Sequence, residues 1–223
     1  MKHKIGLIVN PVAGMGGSVG LKGTDGEIYK KALALGAQPV TPHRTQACLS
    51  RIQHKADMIL FVAPGKMGEA YVQAFDIPFT VVGAVGAETT AADTQRIAVQ
   101  MVARGVELLI FVGGDGTARD IYDAIDAKIP VVAVPSGVKI FSAAFAVSAR
   151  AAAEMVDTFI EGTDVTEEEV LDIDEAAFRE DRLASRLYGY LLVPNVRRSL
   201  QPGKAASNVS GSSVAHKKDI AAY

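Results

Sequence analysis

Short apolar runs recur along the chain, and most are followed by residues with helical spacing. Ile5-Gly6-Leu7-Ile8-Val9 has the length and composition of a buried strand. Met58 to Val62, Phe79 to Val82, Leu108 to Val112 and Val131 to Val134 repeat the theme. Between them the pattern predicts helices near residues 25–36, 43–54, 66–75 and 91–104, and another follows the fourth run near 117–126. Thr90 can cap a helix whose apolar positions are Ile97, Met101 and Val102, with Gly105 just past its end. Continuous apolar strands alternating with helices imply a parallel sheet covered on both faces, and right-handed crossovers make it a doubly wound α/β layer.

After Pro135 the pattern changes. Residues 140–160 are Ala-rich and predict a helix, with Ser148 as a candidate cap. Glu161 to Asp181 holds ten acids against the single base Arg179 and reads as a solvated connector. Glu169-Val170-Leu171-Asp172-Ile173-Asp174 alternates, as does part of Leu183 to Val193, and the two are expected to pair as a hairpin. The expected division is therefore an α/β lobe over 1–160, then a connector and a hairpin that opens a second lobe over 161–223. Gln201 to Ser213 has loop composition, and a last helix is expected to begin at Asp219.

Composition narrows the partners. Charges of 23 against 25 give a net −2, which offers no attraction for nucleic acid or an anionic membrane. Tryptophan is absent and aromatics are 6%, too few for a base-stacking platform. No run approaches the roughly 18 apolar residues of a spanning helix, and no signal peptide is evident. The single Cys48 excludes an internal disulfide or a multi-Cys zinc site, so a cytoplasmic setting is expected. His3, His43, His54 and His216 show no metal spacing.

Chemistry concentrates in the loops. Gly113-Gly114-Asp115-Gly116-Thr117 lies between an apolar strand and a helix. Glycines let the backbone approach a ligand, and the helix start favours phosphate. An acid among them can hold Mg²⁺ or take a proton from an attacking hydroxyl. It can equally satisfy the backbone donors of a tight strand-to-helix turn. A second loop, Asn10-Pro11-Val12-Ala13-Gly14-Met15-Gly16-Gly17, follows the first strand. It fails the dinucleotide fingerprint because Val19 stands where the last glycine is required, and no Gly-Lys pair completes a P-loop. It still sits at the carboxyl end of a strand, where α/β sheets bind ligands. Pro135-Ser136-Gly137-Val138-Lys139 follows the fifth strand, and Lys139 can offer a charge to phosphate. Thr90 and Asp93 fit either a cap or a substrate contact.

These motifs together resemble the ATP-NAD kinase-like family of the NAD kinase and diacylglycerol kinase superfamily, in a branch that includes proteins linked to acetoin catabolism. The resemblance rests on the Asn10 loop, Thr89 to Thr94, Phe111 to Asp120, Pro135 to Lys139, Glu169 to Glu175 and Arg186 to Gly189. It implies a two-lobed kinase moving a phosphoryl group from ATP or polyphosphate to the 2′-hydroxyl of the adenosine ribose of NAD, with Mg²⁺. Asp115 would orient or deprotonate that hydroxyl. Gly113, Gly114, Gly116 and Thr117 would cradle phosphates, with Asn10, Gly14 and Gly16 as the opposite wall. Arg119 and Lys139 are the cations expected near phosphate. Asp172, Asp174 and Glu175 fall where NAD kinases carry an Asn-Glu pair for the substrate, with Thr90 and Asp93 as further substrate candidates. The Pro135–Lys139 loop replaces the Asn-x-Gly-x-x-Gly loop of well-studied NAD kinases. Family members continue past Tyr223, so the resemblance implies a complete first lobe and only the opening hairpin of the second. Unpaired edges there imply a homo-oligomer. A nucleotide-binding module without turnover, and a kinase for another small hydroxyl compound, are the alternatives.

Overall fold

A computed structural model describes residues 2–21, 27–137, 140–173 and 185–201. All five apolar runs are strands: β1 (His3–Val9), β2 (Met58–Val62), β3 (Phe79–Val81), β4 (Leu108–Gly113) and β5 (Val131–Pro135). They pair in parallel in the order β3-β2-β1-β4-β5. Every residue of β4 and β5 is buried, as continuous apolar strands covered on both faces must be. The helices are α1 (Met15–Ser18), α2 (Glu27–Ala34), α3 (Thr41–Leu49), α4 (Glu69–Val72), α5 (Ala91–Ala103), α6 (Asp115–Ile125) and α7 (Ala149–Ile160). α5 packs on α6, and α3 packs on α7. The expected doubly wound α/β layer is thus present. From β1 the chain steps outward to β2 and β3, then returns to β4 on the other side of β1. That reversal places the loops after β1 and β4 side by side at the switch point of the sheet.

Three helices differ from the pattern, each for a tertiary reason. The helix expected over 43–54 runs from Thr41 to Leu49. Beyond it, the amides of Gln53 and His54 are donated to the buried Asp157 carboxylate of α7, at 2.9–3.1 Å. The helix expected over 66–75 is a 3₁₀ turn (Gly65–Met67) followed by α4, because Glu69 N donates to Ala63 O rather than into a helix. The helix expected over 140–160 begins only at Ala149, where Ser148 Oγ accepts from Ala151 N, a cap worth about 1 kcal/mol. The preceding residues stay out of the helix because their amides are used elsewhere. Ala144 N donates to Glu169 O, Ala146 N to Ala133 O and Val147 N to Ser199 O.

β6 (Val165–Ile173) and β7 (Ser185–Pro194) form the expected antiparallel hairpin, longer than the alternation indicated, with a register shift between Val170 and Leu171. Val170, Leu191 and Val193 join the apolar core built around the parallel sheet, and Leu171 is buried as well. The ring of Tyr122 from α6 fills the space beside Gly189, and the rings of Tyr122 and Tyr188 meet edge to face at 5.7 Å. Tyr188 Oη donates to the Asp123 carboxylate at 2.8 Å. The helix expected from Asp219 lies outside the described residues.

Cys48 is buried, and loss of water pushes its thiol up to about 12, with the Asp157 charge adding to the shift. A thiol so placed is almost wholly protonated at pH 8, and the thiolate is the reactive form. A disulfide reagent at pH 8 is therefore expected to leave the native protein unlabelled and to modify Cys48 only at the rate of unfolding. Rapid labelling of folded protein would contradict that burial.

Among the described residues, no helix is long and apolar enough to cross a membrane.

Candidate functional site

The two loops at the switch point are joined by hydrogen bonds. Asn10 N donates to Val112 O at 2.9 Å, carrying the chain from β1 across to β4. The Asn10 side chain then works in both directions. Its Oδ1 accepts from Val12 N at 3.2 Å, which closes the local turn, and its Nδ2 donates to Thr117 Oγ1 at 3.0 Å. Thr117 is buried and its side chain lies against Gly113, where a β-carbon would stand only 2.4 Å from Oγ1. Glycine at 113 is thus what lets the threonine fold back over the end of β4.

The third loop closes on the same place. Ser136 N donates to Gly113 O at 2.9 Å. Gly14 caps α1 with φ 80°, in the left-handed region, and a β-carbon there would lie 2.5 Å from Ser136 O. Gly16 lies within α1, and its carbonyl accepts from Val19 and Leu21. Gly114 is the extended N-cap of α6, whose first turn closes through Ala118 N to Gly114 O at 3.1 Å. Gly116 follows on the exposed side of that turn. The amides of the first turn lie ahead of the helical ladder, so this end of α6 carries partial positive charge.

Asp115 is the first residue of α6, and its carboxylate turns away from the helix toward residues 141–142. Oδ1 accepts from Ser142 N at 2.9 Å, Ser142 Oγ at 2.6 Å and, at 3.3 Å, Phe141 N. Oδ2 accepts from Phe141 N at 3.1 Å. Burial pushes the acid above the usual carboxylate range, against the opposing pull of these hydrogen bonds and of the Arg119 charge. Burial therefore wins, which is the direction that makes a carboxylate a stronger proton acceptor.

The remaining sequence candidates divide. Arg119, one turn along α6, pairs with Asp172 of β6, and Arg186 reaches the other oxygen of Asp172 at 3.0 Å. Arg119 also stands 6.0 Å from the centre of the Tyr188 ring. These two candidates thus form one ion-pair network between α6 and the hairpin. Thr90 and Asp93 make a capping box at the start of α5, with Asp93 N to Thr90 Oγ1 at 3.4 Å and Thr90 N to Asp93 Oδ2 at 3.0 Å. Arg96 on Asp93, and then the Thr90 hydroxyl, hold that carboxyl below its ordinary value. Lys139, Asp174 and Glu175 lie outside the described residues.

Two contributors have no short-range signal. Phe141 and Ser142 come 26 and 27 residues after Asp115. The one available cue is a lone serine in the apolar string Ile140-Phe141-Ser142-Ala143-Ala144-Phe145. A buried hydroxyl there needs a partner.

A parallel sheet with glycine-bearing loops gathered at its switch point defines an open α/β fold. Residues 5–164 match the ATP-NAD kinase N-terminal domain, and the chain belongs to that family. Two solved chains, both described as diacylglycerol kinases from Bacillus anthracis str. Sterne, resemble it at 17% identity and a TM-score of 0.34, each over 78% of this chain and 47% of its own length. The chain thus spans about half the length of those structures. No curated protein matches it.

Proposed function

We propose that this chain is the phosphate-handling lobe of a kinase that transfers a phosphoryl group from ATP or polyphosphate to the 2′-hydroxyl of the adenosine ribose of NAD. The observation that carries this reading is the Asp115 carboxylate at the start of α6. Oδ1 is saturated by Ser142 and Phe141, while Oδ2 accepts one amide and retains acceptor capacity for a hydroxyl. The family match over residues 5–164 supports it.

In this reading, Asp115 Oδ2 accepts the proton of the attacking hydroxyl. The ribose oxygen bonds to the transferred phosphorus as the bond from phosphorus to its bridging oxygen breaks, and the shortened donor leaves with that electron pair. Gly113 to Thr117 and the Gly14 loop hold the phosphates, since phosphoryl transfer requires mainly positioning and charge stabilisation. The described residues build no all-protein cage for magnesium, and Asp115 Oδ2 is the carboxylate oxygen at this turn that could reach an ion carried in by the nucleotide. No three His, Cys, Asp or Glu side chains converge, and Oδ1 of Asp115 is filled by N–H and O–H donors. Magnesium belongs here to the nucleotide substrate, held by its phosphates and water.

The same hydrogen bonds favour a second reading, in which Asp115 only anchors residues 141–142 and the lobe binds nucleotide without turnover. A coupled assay for NADP, with NAD, Mg²⁺ and either ATP or polyphosphate, separates them when paired with calorimetry of ATP binding. NADP formation is the expected result. Binding without product favours the second reading, and absence of both removes each.

A further inference from the structure

We propose that Ser142 is a positioning residue for Asp115, the middle of a relay that runs from Leu171 N–H of β6 through Ser142 Oγ to Asp115 Oδ1. The proposal rests on the reading that Asp115 acts at the acceptor hydroxyl. The Ser142 side chain is fully buried. Its oxygen accepts from Leu171 N at 2.9 Å and its hydroxyl donates to Asp115 Oδ1 at 2.6 Å. A serine hydroxyl has one proton. Because the lone-pair side receives the Leu171 amide, that proton is directed at the carboxylate. The chain N–H to O–H to carboxylate has a single sense, and each bond polarises the next.

The consequence is rotational. The backbone amides of residues 141 and 142 hold the carboxylate, but Ser142 Oγ is the shortest of its contacts and the one that comes from a side chain. With Oδ1 fixed by this hydroxyl, Oδ2 is the oxygen left to meet a substrate. The relay also ties the carboxylate to β6. The next residue of that strand, Asp172, pairs with Arg119 one turn beyond Asp115, so the same strand holds both the acid and its helix.

The test compares the full chain with Ser142→Ala and Val170→Ala. Val170 is buried in β6 without a polar side-chain group, so its truncation costs packing while every donor and acceptor of the relay is kept. The first readout is the ¹³C titration of the Asp115 carboxyl, which needs no turnover. Loss of one charge-assisted hydrogen bond is expected to raise its midpoint by about one pH unit in Ser142→Ala. Val170→Ala is expected to leave the midpoint in place. The second readout is kcat and KM against pH. Ser142→Ala is expected to lower kcat about tenfold with KM within about twofold, and to shift the acidic limb upward by the same interval as the titration. If Ser142→Ala does not fold, Ser142→Cys keeps the volume with a weaker donor and is expected to give a smaller rise. An unmoved midpoint in the variant that folds, or an equal rise in Val170→Ala, overturns the proposal. A shifted titration in a protein with no phosphoryl transfer keeps the relay and overturns the kinase reading. A working kinase with a flat titration does the reverse.

Discussion

Asp115→Asn is expected to lower turnover by about 10³-fold or more while leaving ATP affinity within about threefold. General-base assistance contributes about 10²–10⁴ in rate, and an amide cannot take the proton. The replacement is isosteric, so its oxygen can still accept from Ser142 and Phe141, and residues 140–147 keep their path. The pH dependence supplies a second, independent reading. On the proposed role the base form of Asp115 is required, so the rate is expected to fall as pH drops through its pKa. Burial raises that pKa, so the fall begins at a higher pH than the roughly 3.9 of an ordinary aspartate would give. Stability has the opposite sign. A carboxyl whose folded pKa is raised favours the fold when protonated, and that contribution is lost as pH rises above its unfolded value. At pH 7 the ionised group weighs against folding, so Asp115→Asn is expected to melt no lower than the parent. Unchanged kcat would remove Asp115 from the mechanism. A large loss of ATP affinity would make it a binding residue instead.

How much of this was legible in the sequence follows from the range of each interaction. The five strands are apolar along most of their length, so length and composition located them without knowledge of their neighbours. Thr90 and Ser148 act as caps within three residues of their partners, and both were readable. The Asn10 and Gly113–Thr117 loops showed in the sequence as glycine-rich turns after strands, but their hydrogen bond spans 107 residues and depends on β4 returning beside β1. The helix boundaries at residues 49 and 149 were not legible, because amides at 53–54 and 141–147 are claimed by groups distant in sequence. Arg119 shows the same limit. The family resemblance marked it as a cation near phosphate, and the strand that brings Asp172 to it is invisible locally.

Gly14→Ala is expected to destabilise the fold by about 2–3 kcal/mol and to weaken ATP binding at least tenfold. Two independent costs meet at this residue. Its φ of 80° is strained for any side chain. The added β-carbon would also lie 2.5 Å from Ser136 O and 3.1 Å from Ser136 C, and these are backbone atoms that no rotamer change can move aside. Relief requires the two loops to separate. Ser136 is pinned through its amide to Gly113 O, so a displaced Ser136 pulls on the end of β4 where the Asp115 turn begins. A change at residue 14 therefore reaches the Gly113–Thr117 loop through one backbone contact and one hydrogen bond. Gly17→Ala is the control. Gly17 lies in the same short helix, is exposed and has open space around its β-position, so that variant is expected to match the parent in melting and in binding. Equal losses in both variants would mean that α1 as a whole governs binding. A normal Gly14→Ala protein would show that the two loops are not closed on each other in solution.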